Sequence, residues 1–254
     1  MLAWAALSLP GVLGARREHA RRDWWAPLQG GESPLFIVVG DHTVGNHGNA
    51  LRAEQGSPAS SSEAVLQMMN EREQITFTDV ESLFKLTNYL AKRGDSYRAR
   101  AAGRVDLAEL RTGPVLLFAG LDNRWTMRLA EHLRFRFVNS PDDTVGLIED
   151  AQVPGRSWRV DFKVAANSLP TDYALVARYF DPTIEQPVMI VAGTGSTGTV
   201  SASEFISSER MIEDLDRLAP KGWNASAGNV EVVLAMQVID GHPGPPHIVA
   251  SQFW

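Results

Sequence analysis

The chain contains no cysteine. That excludes disulfides, thiolate metal sites and a cysteine nucleophile, and it is compatible with either side of a membrane. Basic residues are outnumbered: 24 Lys and Arg against 30 Asp and Glu leave a net charge of -6. Non-specific binding to nucleic acid is therefore not expected. No apolar run reaches the ~20 residues that a spanning helix needs. Common catalytic signatures are missing as well, with no G-x-S-x-G, no H-E-x-x-H, no Walker lysine and no close pair of acids. Nothing in the pattern calls for a cofactor. A metal is not expected either, because Asp41, His42 and His47 lie in a glycine-rich stretch without the ligand spacing of a metal helix or turn.

What is present is globular. Hydrophobic residues make up 44% of the 254 positions and charged residues 21%, enough to fill the core of one α/β domain. No long linker divides the chain, so it reads as an apolar and basic segment over 1–23 followed by a single domain over 24–254. Residues 1–14 are apolar, and Arg16, Arg17, Arg21 and Arg22 follow, with Trp24 and Trp25 just beyond. A signal peptide has its basic residues before the apolar core. The reverse order here looks like the last two-thirds of a transmembrane anchor, with arginines and tryptophans at the interface. A frayed amphipathic segment is the alternative. The expected location is thus membrane-associated, side unassigned, or cytoplasmic if the segment is no anchor.

Continuous apolar runs closing on glycine predict buried strands at 33–40 and 115–119. Residues 41–62 read as a long loop and 63–70 as a short helix. Thr78 and Glu81 have capping-box spacing, and Val80, Leu83, Phe84, Thr87, Leu90 and Ala91 would line the buried face of the helix that follows. An edge strand is expected over 97–101, a helical turn over 107–111, and a helix from Asp122 or Asn123 to about 133. Further strands are expected over 135–138, 145–149 and 157–164. Residues 173–180 and 188–192 form a hairpin across Asp181-Pro182, and 230–239 with 248–253 form a second one. Between them a helix follows Gly198, breaks near Ser207 and Ser208, and resumes with Met211, Ile212, Leu215 and Leu218 on one face. Helices alternating early with buried strands, and antiparallel hairpins late, predict an α/β three-layer sandwich. Its sheet would be mixed but largely parallel.

Gly193, Gly195 and Gly198 match G-x-G-x-x-G after a strand and before a helix. No acidic residue ends a following strand at the usual distance, and too few crossovers remain for a dinucleotide fold. A looser expectation stands: amides of residues 198–201 and the hydroxyls of Thr197, Thr199 and Ser201 would hold a phosphate or carboxylate. The plain alternative is that the glycines only permit a tight strand-to-helix turn. If the strands ending at Gly40 and Gly120 run parallel to 188–192, then Asp41, His42, Asp122, Asn123, Arg124 and Trp125 converge on that loop. Arg124 would pair with an anion and Trp125 would stack on a ring; helix capping by Asn123 and core packing of Trp125 are the competing roles.

The stretches GPVLLFAGLDNRWTMRL and DYALVARYFDP, the helix start at Gly198, Thr199, Glu204 and Phe205, the ending VIDGHPGPPHIVASQFW and the Trp-Ala-Pro-Leu at 25–28 carry a resemblance. They are similar to an uncharacterised bacterial family in which such an α/β domain follows a membrane-spanning helix. The resemblance covers 24–254 and implies a tethered sensory or ligand-binding domain, with no catalytic residue to carry over. Three functions are therefore in view. One is a membrane-associated sensory domain for a small anionic metabolite or nucleotide. Another is an enzyme acting on a nucleotide or phosphate ester, with Asp122 or Glu204 as acid or base. The third is a structural module that forms homo-oligomers through its last strand.

Overall fold

The structure, a computed structural model, describes residues 23–29, 33–41, 75–140, 144–165 and 168–254. The N-terminal segment up to residue 22, His42, His47, most of the expected 41–62 loop and the expected 63–70 helix lie outside the described residues. In chain order the first elements are β1 (Leu35–Val39), α1 (Phe77–Lys92), β2 (Tyr97–Ala101), α2 (Leu107–Leu110), β3 (Val115–Phe118) and α3 (Arg124–Leu129). Next come β4 (Phe135–Asn139), β5 (Val145–Asp150), β6 (Ser157–Asp161), β7 (Thr171–Asp181) and β8 (Gln186–Gly193). The chain closes with α4 (Ser196–Ser207), α5 (Glu209–Asp216), β9 (Val230–Ile239), β10 (His242–Pro243) and β11 (His247–Phe253).

The main sheet runs β2-β1-β3-β8-β7-β9, and both β10 and β11 pair with β9. Strands β2, β1, β3 and β8 are parallel. From β8 onward every pairing is antiparallel. The fold is α/β with a mixed sheet, and the expected predominance of parallel pairing is not seen. Two hairpins, one of them folded back on a long strand, account for the difference: Asp240 and Gly241 both take positive φ (51° and 79°), and they join Ile239 to His242 in a tight turn.

Alternation along the strands sends side chains into two separate cores. Leu35, Ile37, Val39, Ala174, Val176, Val232 and Leu234 face one side, where Leu86 and Leu90 of α1, Phe205 and Ile206 of α4, and Ile212 and Leu215 of α5 meet them. Phe36, Val38, Leu175, Ala177, Ile190 and Val233 face the other, against Leu110, Trp125, Leu129, Phe135, Phe137 and Ile148. The last three belong to a second, antiparallel sheet in the order β4-β5-β6, lying on that face.

Helix α1 departs from its expected register. Its cap is Thr76, which accepts the Asp79 amide at 3.1 Å, so the pair at 76 and 79 takes the place expected for Thr78 and Glu81. The buried stripe is Asp79, Ser82, Leu86 and Leu90, while Phe84 is 64% exposed. The cause lies across the interface. The Ser82 hydroxyl donates to the Ser203 hydroxyl of α4 at 2.9 Å, a contact that only small side chains permit, and it turns Phe84 outward. On α5, Ile212 and Leu215 are buried as the spacing requires, but Leu218, past the helix end, is 53% exposed.

One buried charge fixes the start of the described chain. Arg178 of β7 is 1% exposed and donates to the carbonyls of Trp24 at 2.8 Å and Gly228 at 2.6 Å. Its guanidinium lies 4.8 Å from the Trp24 ring and 5.7 Å from that of Trp223. Burial pulls this group down to about 10, with the charge of Asp23 acting the other way. Trp24 and Trp25, at 2% and 0% exposure, are thus core residues of the domain.

Candidate functional site

Because β2, β1, β3 and β8 are parallel, their carboxyl ends share one edge, the position at which ligands collect in open α/β sheets. Three strand-end turns approach one another there. A Cβ on Gly40 would lie 2.8 Å from the Ala119 Cβ and 3.5 Å from that of Asn123, and one on Gly120 would lie 2.6 Å from the Gly193 carbonyl. Ala119 closes β3 with φ of 76°, a conformation that L residues rarely adopt and that is often found beside functional sites.

The glycine turn itself is occupied from within. Asp172, at the start of β7, is fully buried. The register pairs Ala174 with Gly193, which carries Asp172 past the end of β8 to the first turn of α4. Its Oδ1 accepts the amides of Tyr173 at 2.7 Å and Gly195 at 3.1 Å. Its Oδ2 accepts the Thr197 hydroxyl at 2.6 Å and the Gly198 amide at 2.7 Å. A carboxylate at a helix N-terminus is a favourable match of charge to dipole; here the anion belongs to the protein. Thr199 is engaged too, its hydroxyl accepting from the Gly193 amide at 3.0 Å, while its own amide donates to Gly195 O at 3.2 Å. Ser201 is fully buried, and its Oγ has no hydrogen-bond partner among the described residues.

The glycines are required by this packing. A Cβ on Gly193 would sit 2.2 Å from the Thr199 nitrogen, and one on Gly198 2.3 Å from the Tyr173 carbonyl oxygen. At Gly195 the obstacle is the Asp172 carboxylate itself, at 2.8 Å. None of the three has a positive φ, so close approach rather than turn geometry excludes a side chain.

The neighbouring residues also have defined partners. Asn123, fully buried, caps α3 by accepting the amides of Trp125 and Thr126, and its Nδ2 ties β1 to β3 through the carbonyls of Val38 (2.9 Å) and Phe118 (3.0 Å). Asp41 is 5% exposed and accepts the Gly103 amide at 3.0 Å, linking the ends of β1 and β2. The expected stacking of Trp125 on a ligand ring is corrected. Its indole is 5% exposed, donates to the Val105 carbonyl at 3.2 Å, and has the Arg124 and Arg128 guanidiniums at 5.2 and 5.5 Å from its ring. Arg124 is exposed and donates to Val105 O at 2.6 Å, which fixes its guanidinium at the carboxyl edge with donors remaining. Asp122 is half-buried beside it.

Glu204 lies elsewhere. It lines a groove of about 220 Å³ between α1 and α4, together with Ser82, Lys85, Ser203 and Ser207. Among the described residues no group of three His, Asp or Glu is arranged to hold a metal ion, and no helix is long and apolar enough to cross a membrane. Two features were not foreseen from the sequence: the capping role of Asp172, and a buried acid, Glu231, on β9. An acid interrupting the otherwise apolar VEVVLAM run was the available signal for the second. Comparison of the chain with protein-family models, with curated proteins and with solved structures finds no match.

Proposed function

We propose that this domain binds a small anionic molecule at the carboxyl edge of β2, β1, β3 and β8, as a sensory module rather than an enzyme. The observation that carries the reading is the convergence of three strand-end turns, 40–41, 119–124 and 193–195, on one edge that ends in an exposed, oriented guanidinium. Since Asp172 fills the glycine turn, the ligand would be held by Arg124 and neighbouring side chains, not by the turn's amides. The covered faces of the sheet support reading the whole as a three-layer sandwich with the site at its rim. Tethering to a membrane through residues 1–22 belongs to the same proposal and rests on the family resemblance.

A panel of nucleotides, phosphate esters and carboxylates screened by thermal shift tests it. A ligand at 100 times its Kd adds about 2.7 kcal/mol. The Arg124→Ala variant should fold as the parent does and lose most of that shift. A panel without a hit, or a hit that Arg124→Ala retains in full, counts against the site.

A second reading has its own support. Ile248–Phe253 of β11 are half-buried along both faces, and Trp254 is 46% exposed. Pairing of this edge with a second copy would cover them.

A further inference from the structure

The groove between α1 and α4 takes no part in the proposed edge site, and it is where the expected register of α1 fails. Its floor is a relay of serine hydroxyls. Ser82 of α1 donates to the Ser203 hydroxyl at 2.9 Å, and Ser203 in turn donates to the Thr199 carbonyl at 3.0 Å. On the α4 wall, Ser207 donates to the Ser203 carbonyl at 2.8 Å. Ser82 and Ser203 are 1% and 4% exposed, so this polar floor sits at the depth of a helix–helix core.

Helices packed for stability alone fill such a gap, because interiors are close-packed and voids cost free energy. A large apolar side chain is at hand and is not used. Phe84, two residues beyond Ser82, points to solvent, while about 220 Å³ stays open beside the serines. Departures of this kind from local packing rules gather at functional sites.

The chemistry of the groove follows from its protons. The hydroxyl hydrogens of Ser82, Ser203 and Ser207 are all committed within the protein, so Ser82 and Ser207 have only lone pairs left for a ligand. Glu204, exposed beside Ser203, adds a carboxylate, which is again an acceptor. From α1, Lys85 supplies the donor side. Among the described residues neither the Glu204 nor the Lys85 side chain has a hydrogen-bond or ion-pair partner, and the two do not pair with each other. Val200 adds a short apolar stretch of wall. A wall of acceptors with a single ammonium across from it suits a molecule that is cationic at one end and anionic at the other. The volume lies below the roughly 300–1,000 Å³ of pockets for drug-sized ligands, so that molecule is small.

We propose that the α1–α4 groove binds a free α-amino acid, its ammonium held by Glu204 with the Ser82 and Ser207 oxygens and its carboxylate by Lys85. The site stands apart from the Arg124 edge, and neither depends on the other.

Calorimetric titration of the full chain with a panel of free amino acids tests this, and two derivatives of the tightest binder assign its ends. The methyl ester lacks the carboxylate and the N-acetyl form lacks the ammonium. Each should bind roughly 10-fold or more weakly, as expected for loss of a charge-assisted hydrogen bond. Lys85→Met should bind the amino acid and its ester alike, and Glu204→Gln should weaken both. Both residues are exposed, so these variants should fold as the parent does. Ser207→Leu fills the groove and should abolish binding while the melting temperature holds or rises. Arg124→Ala should leave binding unchanged, which keeps this result separate from that of the edge site. No binding of any amino acid at millimolar concentration, equal binding of the N-acetyl form, or binding that Glu204→Gln and Ser207→Leu both retain in full would each overturn the proposal.

Discussion

Replacing Asp172 with alanine should destabilise the protein by about 4 kcal/mol, because it strands buried donors that nothing else can reach, each worth roughly 1–3 kcal/mol. The Gly198 amide and the Thr197 hydroxyl are buried and lose their acceptor outright; the Gly195 amide is half-buried and recovers part of its loss from water. The favourable charge at the α4 N-terminus goes as well, a further ~0.3–1 kcal/mol. For a chain of this size the melting temperature should fall by roughly 8–16 °C. Asp172→Asn retains one acceptor oxygen but points an NH2 group at existing donors, so its loss should be about half as large. The void left by alanine has the shape and donors of a carboxylate site, which gives the sharper assay. Formate or acetate, added in a thermal melt at constant ionic strength, should restore stability to Asp172→Ala and leave the parent unchanged. A loss below about 1 kcal/mol in Asp172→Ala would mean that the turn's donors have other partners. Equal stabilisation of parent and variant by formate would mean that the turn is open, and the reasoning fails.

Arg178→Met should cost roughly 2–4 kcal/mol by leaving the Trp24 and Gly228 carbonyls without their donor. It should also release the 23–29 segment, seen as new chymotryptic cleavage near Trp24 and Trp25 under native conditions. Asp150, its pKa lowered chiefly by the Arg134 hydrogen bond, contributes stability that is present above the ordinary carboxyl range and is lost as pH falls through its lowered value. Asp150→Asn should therefore remove about 3 kcal/mol at pH 7 and flatten the acid limb of stability in urea melts as pH falls below the ordinary carboxyl range; an unchanged acid limb would exclude Asp150 as its source.

Period and punctuation made most elements legible. The strand runs at 115–119 and 188–192, the break at Ser208, and the Asn123 cap all follow from local chemistry, and the structure has them within a residue or two. The register of α1 was not legible. Reading its large apolar residues as the buried face put Phe84 inward, whereas the helix turns on serine against serine, and a serine carries no hydropathy signal. The docking of β4–β6 was also hidden. Beside its apolar contacts, one anchor is an acid on β9 that accepts amides 96 and 97 positions away in the chain.

The glycine turn shows where the limit falls. A strand, a G-x-G-x-x-G run and a helix state that amides will be brought together and that no side chain fits between them. Both statements hold here, since Gly193 and Gly198 admit no Cβ. They do not say which anion the amides receive. Asp172 lies 23 residues before Gly195, and it arrives only because β7 returns antiparallel to β8 in a register that overshoots the strand end by two residues past Ala174. Vacant and self-occupied turns thus share one local sequence, and the distinguishing residue sits on a partner strand whose register is a tertiary property. In this chain the acid is Asp172, the second residue of an apolar strand whose hairpin leads directly into the turn that it fills.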